Sequence, residues 1–221
     1  MSRRFIAIPV LTLIVACGRG PAPQQASPEH MPADSAARLE AQYRLHADSA
    51  LHRFTQADVA FMSGMISHHA QALVMARLIP SRTQSTSIRT LGARIINAQR
   101  DEIRLMQQWL RERGQPVPEP DSLGTMAGMP GMEHMGHDLM PGMLTPEQMQ
   151  QLRQTSGTAF DRLFLNDMIQ HHNGAVSMVQ TLFDAAGGSA QDETVFKLAS
   201  GVQVDQTTEI NRMRLMLQAL P

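Results

Sequence analysis

Two adjacent histidines recur in the same helical setting, in MISHHAQALVMA (residues 65–76) and MIQHHNGAVSMV (residues 168–179). His68 and His69 lie between Met65 and Met75 in the first stretch, and His171 and His172 lie between Met168 and Met178 in the second. Imidazole nitrogen and thioether sulfur are soft or borderline neutral donors, so this pairing suits Cu(I), Ag(I) and Cu(II) better than zinc, iron or magnesium. One histidine on an apolar face is ordinarily a hydrogen-bonded core residue, and one methionine is ordinarily core filler. Duplication preserves packing as readily as binding, so both readings stay open for the helical residues.

The elements that position these residues follow from the repeat. Asp58, Phe61, Met65, His68, His69, Ala72 and Met75 correspond to Asp161, Phe164, Met168, His171, His172, Ala175 and Met178 at a constant offset of 103. A second pattern follows each copy, pairing Gln99, Glu102, Ile103 and Met106 with Gln206, Glu209, Ile210 and Met213 at an offset of 107. The four extra residues of the second copy fall in its connection, where DAAGGS supplies a turn. Positions 58, 61, 65, 68, 72, 75 and 79 step by three and four, so they form one helical stripe with His68 facing inward and His69 at its flank. The partner helix, over about 85–113, carries Ile88, Ile95, Gln99, Glu102, Met106 and Trp109 on one face, placing a carboxylate inside an apolar side. Glu102 and Glu209 are positioned to bond His68 and His171. Pro80 is expected to end the first helix, and Gly114 with PVPEP the second. Two such hairpins, 55–114 and 146–220, would stack into an all-α antiparallel four-helix bundle.

The segment joining them, 115–145, is dense in Gly and Pro and cannot form a regular element. Seven of the chain's 17 methionines lie between positions 126 and 149: Met126, Met129, Met132, Met135, Met140, Met143 and Met149, with His134 and His137 among them. A linker does not need thioethers for a core stripe. The residues up to Met143 are therefore candidate metal-capturing ligands, with a solvated linker as the bland alternative. At TPEQ a helix begins, with Thr145 as cap, Pro146 in the first turn and Gln148 closing a capping box.

Upstream, MSRRFIAIPVLTLIVAC has two arginines, an apolar run too short to span a membrane comfortably, and a terminal cysteine, so 1–17 reads as an export signal. IVAC resembles a bacterial lipobox, which makes Cys17, the chain's 1 cysteine, a lipid anchor. Gly18 follows it, favouring the outer membrane facing the periplasm. Residues 18–33 read as a polar tether, and 34–54 as a leading helix. A formal net charge of -1 provides no basic field for nucleic acid.

The doubled pattern, DVAFMSGMISHHAQALVMA with AQRDEIRLM and FDRLFLNDMIQHHNGAVSMV with DQTTEINRM, separated by PGMLTPEQM, resembles the CopM-like family of secreted bacterial proteins. The resemblance covers roughly residues 54–219 and implies a ferritin-like four-helix fold with periplasmic copper binding and copper tolerance. Gly64 in the first copy stands where the second has Asp167, so the two halves need not bind alike.

Together these readings anticipate a copper-buffering lipoprotein, not an enzyme, with Cu(I) favoured and Cu(II) possible, and with a periplasmic copper-handling protein as a partner. Its helical ligands would come from Met65, His68, His69, Met75, Glu102 and Met106 and from Met168, His171, His172, Met178, Glu209 and Met213. Two alternatives remain. One is a helical adaptor without metal. The other is a ferritin-like di-metal oxidase, which is disfavoured because no helix contains the Glu-x-x-His that such bundles use.

Overall fold

The computed structural model describes residues 33–51, 53–119, 139–185, 190 and 192–221. The expected signal, Cys17 and most of the tether lie outside these residues, as do Met126, Met129, Met132, His134, Met135 and His137. All regular structure among the described residues is helical. The leading helix α1 runs Ala33–Leu51, with Asp34 in its first turn, where a carboxylate complements the helix dipole. Among the described residues no helix is long and apolar enough to cross a membrane.

The bundle begins with α2 (Gln56–Ala76), which turns through a short α3 (Ile79–Arg82) into α4 (Thr86–Glu112). The second half comprises α5 (Pro146–Gln154), α6 (Gly157–Asp184) and α7 (Glu193–Gln218). Helices α2 and α4 form one hairpin, α6 and α7 form the other, and α2 lies against α6. The proline at position 80 does not itself end the first helix. Helix α2 stops earlier, at Ala76, and Pro80 sits in the first turn of α3, where its missing N–H removes no helical bond.

Local chemistry fixes these boundaries. Thr55 and Asp58 form a reciprocal capping box on α2, Ser85 caps α4 through the Ile88 N–H, and Thr145 with Gln148 repeats the capping box on α5. Asp192 accepts from Thr194 N and Val195 N at the start of α7 and also pairs with Arg113, whose guanidinium stacks 4.4 Å from the Trp109 ring. The other carboxylate oxygen of Asp58 accepts from Ala190 N at 2.8 Å, tying the start of α2 to the far connection. Asp161, its repeat equivalent, keeps Oδ1 buried without a partner.

Helix α2 is buried on nearly every side, its polar Asp58, Ser63, Ser67, His68, His69 and Gln71 included. Helix α4 buries one face: Ile88, Leu91, Ile95, Met106, Trp109 and Leu110. Each fully buried large apolar side chain contributes about 2 kcal/mol. The core separates into two clusters. One gathers Met75, Ile88, Ile95, Phe160, Phe164, Met168 and Met213. The other gathers Phe61, Met65, Met106, Trp109, Val179 and Val202, with Met178 packed against it. The repeat exchanges them, since Met65 and Met168, Met75 and Met178, and Met106 and Met213 fall on opposite sides.

Candidate metal centre

His68, His69, His171 and His172 are all fully buried, each at 0% exposure. His68 and His171 face one another across the α2–α6 contact, with ring centroids 3.9 Å apart and planes inclined by 41°. The flanking rings are 6.5 Å from His68 to His69 and 6.3 Å from His171 to His172. His69 Nε2 lies 2.6 Å from Glu102 Oε2, and His172 Nε2 lies 2.8 Å from Glu209 Oε2. The expected pairing was one residue off: the glutamates hold His69 and His172, not His68 and His171. One residue is a 100° rotation on a helix, so the stripe through position 68 meets the other hairpin, while position 69 turns toward its own partner helix.

These contacts leave one edge of each ring without a partner. His69 and His172 each donate an Nε2–H to a carboxylate, and His68 donates to the Pro141 carbonyl at 3.0 Å. Nδ1 of all four histidines, and Nε2 of His171 as well, are buried with no hydrogen bond. A ring that donates from Nε2 carries a lone pair on Nδ1 when neutral. A carboxylate or carbonyl fixing the opposite nitrogen is how metal-ligating histidines are oriented.

Burial, reinforced by His69 and His172, lowers the His68 pKa to about 3, against the opposing effect of the Pro141 bond. His171 is held well below the ordinary value by burial and by the three neighbouring imidazoles, with the nearby His68 backbone acting weakly the other way. Both rings are therefore neutral at physiological pH, the form that binds a metal. In the unfolded chain they take up protons near pH 6.5, so stability falls as pH drops below that value. Each ring steepens the loss by up to about 1.4 kcal/mol per pH unit. Asp167, whose pKa burial raises to about 6, acts in the opposite sense and offsets part of the loss. Urea unfolding of the apoprotein between pH 7 and 4 is expected to show falling stability, with a shallower slope in His171→Leu. A flat profile would contradict the neutral-histidine assignment.

Residues 139–144 do not behave as part of a solvated linker. They form a strap across α2 and α6, in which Met143 and Leu144 are buried. Gln71 grips it with two bonds, Nε2 to Leu144 O at 3.0 Å and Oε1 from Leu144 N at 2.7 Å. On the α6 side Gly142, at φ +76°, lies against Gly174, where a Cβ would come within 1.9 Å of the Pro141 oxygen. Sequence reasoning missed Gln71, Pro141, Gly142 and Gly174. The available signal was a break in the repeat, because Gln71 and Gly174 occupy equivalent positions and differ.

Of the proposed helical ligands, Met65, Met75, Met106, Met168 and Met213 are fully buried above and below the histidine layer, and Met178 is partly buried. Glu102 and Glu209 side chains are 19% and 16% exposed and are engaged by histidine. Among the described residues no three His, Cys, Asp or Glu side chains converge as a ready-made metal site.

A duplicated helical hairpin whose buried histidine pairs meet at the centre of the bundle defines a helical-bundle class with a candidate soft-metal layer. Residues 58–217 match the model of the Domain of unknown function DUF305, and the chain belongs to that family. Its fold is similar to a DUF305 fragment from Deinococcus radiodurans at 32% identity and TM-score 0.61, covering 76% of this chain and 99% of that one. A DUF305 protein from Streptomyces coelicolor is 28% identical with TM-score 0.61, covering 74% and 93%. CopM in its Cu(I)-bound form is 25% identical with TM-score 0.55, covering 76% and 98%. CopM in its Cu(II)-bound form gives 28% and 0.56, covering 73% and 96%. An uncharacterized protein of Acanthamoeba polyphaga mimivirus is 39% identical over 56 residues, so the match spans 25% of this chain and 37% of that relative.

Proposed function

We propose that this protein binds copper in the bacterial envelope, Cu(I) in preference to Cu(II), and buffers it or hands it to a copper-handling protein without covalent chemistry. The observation that carries the reading is the layer of four buried histidines with every Nδ1 unpartnered and Nε2 of three of them already anchored. Thioethers on both sides of that layer supply the soft donors that Cu(I) selects. Similarity to a protein with Cu(I)-bound and Cu(II)-bound forms supports the choice of metal. Export and a lipid on Cys17 rest on the arginines, short apolar run and IVAC of the leader, and the Streptomyces coelicolor relative is classed as secreted.

One fractionation experiment tests both parts. Protein in the membrane fraction of copper-grown bacterial cells is expected to carry copper by elemental analysis, and Cys17→Ser is expected to move it to the soluble envelope fraction with its copper retained. Protein purified without copper, and unable to compete with a Cu(I) chelator under reducing conditions, would overturn the metal assignment. Wild-type protein already in the soluble fraction would overturn the anchor.

A further inference from the structure

We propose that the outward line of α4, formed by Arg89, Arg100, Arg104 and Arg111, docks on the anionic phospholipid headgroups of the membrane beside which a lipid on Cys17 would hold the chain. The choice of partner rests on the anchored reading of the leader, whereas the surface itself rests on α4.

At 100° per residue the four positions fall within an arc of about 60°, roughly opposite the buried line of Ile88, Ile95 and Met106, and at 1.5 Å per residue they extend over about 33 Å. All four residues are exposed. Their charge is little neutralised. Arg100 and Arg111 have no carboxylate partner among the described residues, and Glu112, next to Arg111, is paired with Arg113. Arg89 donates to the Thr83 and Pro80 carbonyls and to Gln84 Oε1, all neutral acceptors. Of the four only Arg104 is engaged by an acid, Asp101, which stands off the line.

The repeat shows that the fold does not require this line. At the offset of 107 its counterparts on α7 are Phe196, Thr207, Asn211 and Gln218, exposed and all uncharged. Charge is segregated between the hairpins as well: 55–114 holds eight arginines against four acids, and 146–220 holds five basic residues against eight acids, a division that the chain's net charge of -1 conceals. A solvated helix face ordinarily mixes both signs at i, i+4 spacing. An unmixed line of guanidiniums instead matches a plane of phosphates, each of which a guanidinium can bind through two N–H groups. The tether supplies proximity: residues 18–33 extend at most about 55 Å from Cys17, so an anchored chain meets the leaflet at high effective concentration and weak contacts suffice to turn one side of the bundle toward it. The acid-rich second hairpin of another copy, the competing occupant, lacks that advantage.

The test uses Cys17→Ser protein, so that binding reads the bundle and not the lipid. It is sedimented with vesicles of phosphatidylcholine alone or of an equimolar mixture with phosphatidylglycerol. Binding is expected to the mixed vesicles only, and to weaken as salt rises and screens exposed charge. Each arginine near an anionic surface strengthens binding about fivefold, so Arg100→Gln with Arg111→Gln is expected to weaken it about 25-fold. Glutamine keeps the helix propensity, and circular dichroism checks that the helices persist. Arg212→Gln with Arg214→Gln removes the same charge from exposed positions on α7 and is expected to leave binding nearly unchanged. Equal losses in the two double variants would assign binding to net charge and overturn the surface, as would equal binding to neutral vesicles or none to mixed ones. Self-association without vesicles, abolished by the α4 substitutions, would give the line to a second copy and overturn the membrane assignment. The two readings fail separately: wild-type protein in the soluble envelope fraction refutes the anchor, whereas unbound mixed vesicles refute the surface with the anchor intact.

Discussion

Replacing His171 with leucine is expected to raise the melting temperature of the metal-free protein while removing most of the stabilisation that Cu(I) or Ag(I) confers. Both ring nitrogens of His171 are buried and without hydrogen bonds, and each unsatisfied group of this kind costs about 1–3 kcal/mol. Leucine has a similar volume and no polar atom, so the substitution removes the penalty at a small packing cost. A net gain of about 1–2 kcal/mol corresponds to several degrees for a chain of this size. A satisfied structural histidine would behave oppositely, losing stability with the ring and leaving any metal response intact. Thermal unfolding with and without Ag(I) reads both quantities, and a lower melting temperature with an unchanged silver response would place His171 among packing residues.

Gly174→Ala is expected to be the most damaging of the small substitutions. The new Cβ would lie 1.9 Å from the Pro141 oxygen, 2.4 Å from its carbon and 2.7 Å from Gly142 Cα, all backbone atoms that cannot rotate away. The strap must either strain or detach. Detachment breaks the two Gln71–Leu144 bonds and the His68–Pro141 bond, each contributing about 1 kcal/mol, so a loss of about 3 kcal/mol is expected by either route. Hydrogen exchange at Leu144 N distinguishes the routes, since it accelerates only if the strap lifts. Gly201→Ala on α7 is the matching control: nothing lies within 4 Å of its added Cβ, and alanine's better helix propensity is expected to stabilise by about 0.5–1 kcal/mol. Equal effects at the two glycines would refute the steric account of Gly174.

The hairpins were legible in the sequence because three-and-four spacing and a gapless 103-residue offset constrain a helix over its whole length. The capping residues were legible for a local reason: Thr145 and Gln148 act on backbone only three positions away. Facing directions were harder. Whether position 68 or 69 meets Glu102 depends on a rotation of 100° about α2, which a stripe pattern leaves ambiguous when nearly the whole helix is buried. The strap was illegible for a different reason. Composition groups residues 139–144 with the Met-rich segment, whereas their order comes from Gln71 and Gly174, 73 positions from Leu144 and 33 from Pro141 respectively. Pro80 signalled a break correctly in type and wrongly in place, since proline is at home in the first turn of α3.

His68 facing His171 means that a repeat position meets its own counterpart where the two hairpins touch. That is the geometry of an isologous contact between two copies of one hairpin, where every residue on the axis is self-complementary or fails twice. Such a dimer has no means of distinguishing its halves. Writing both copies into one chain lifts that constraint. It lets position 71 be glutamine while its twin at 174 is glycine, and position 64 be glycine while its twin at 167 is aspartate. The strap, a single segment that two identical subunits would each have had to duplicate, has one seat and one orientation. The two ends of the histidine layer are thereby made chemically different, which gives an otherwise symmetric molecule a direction.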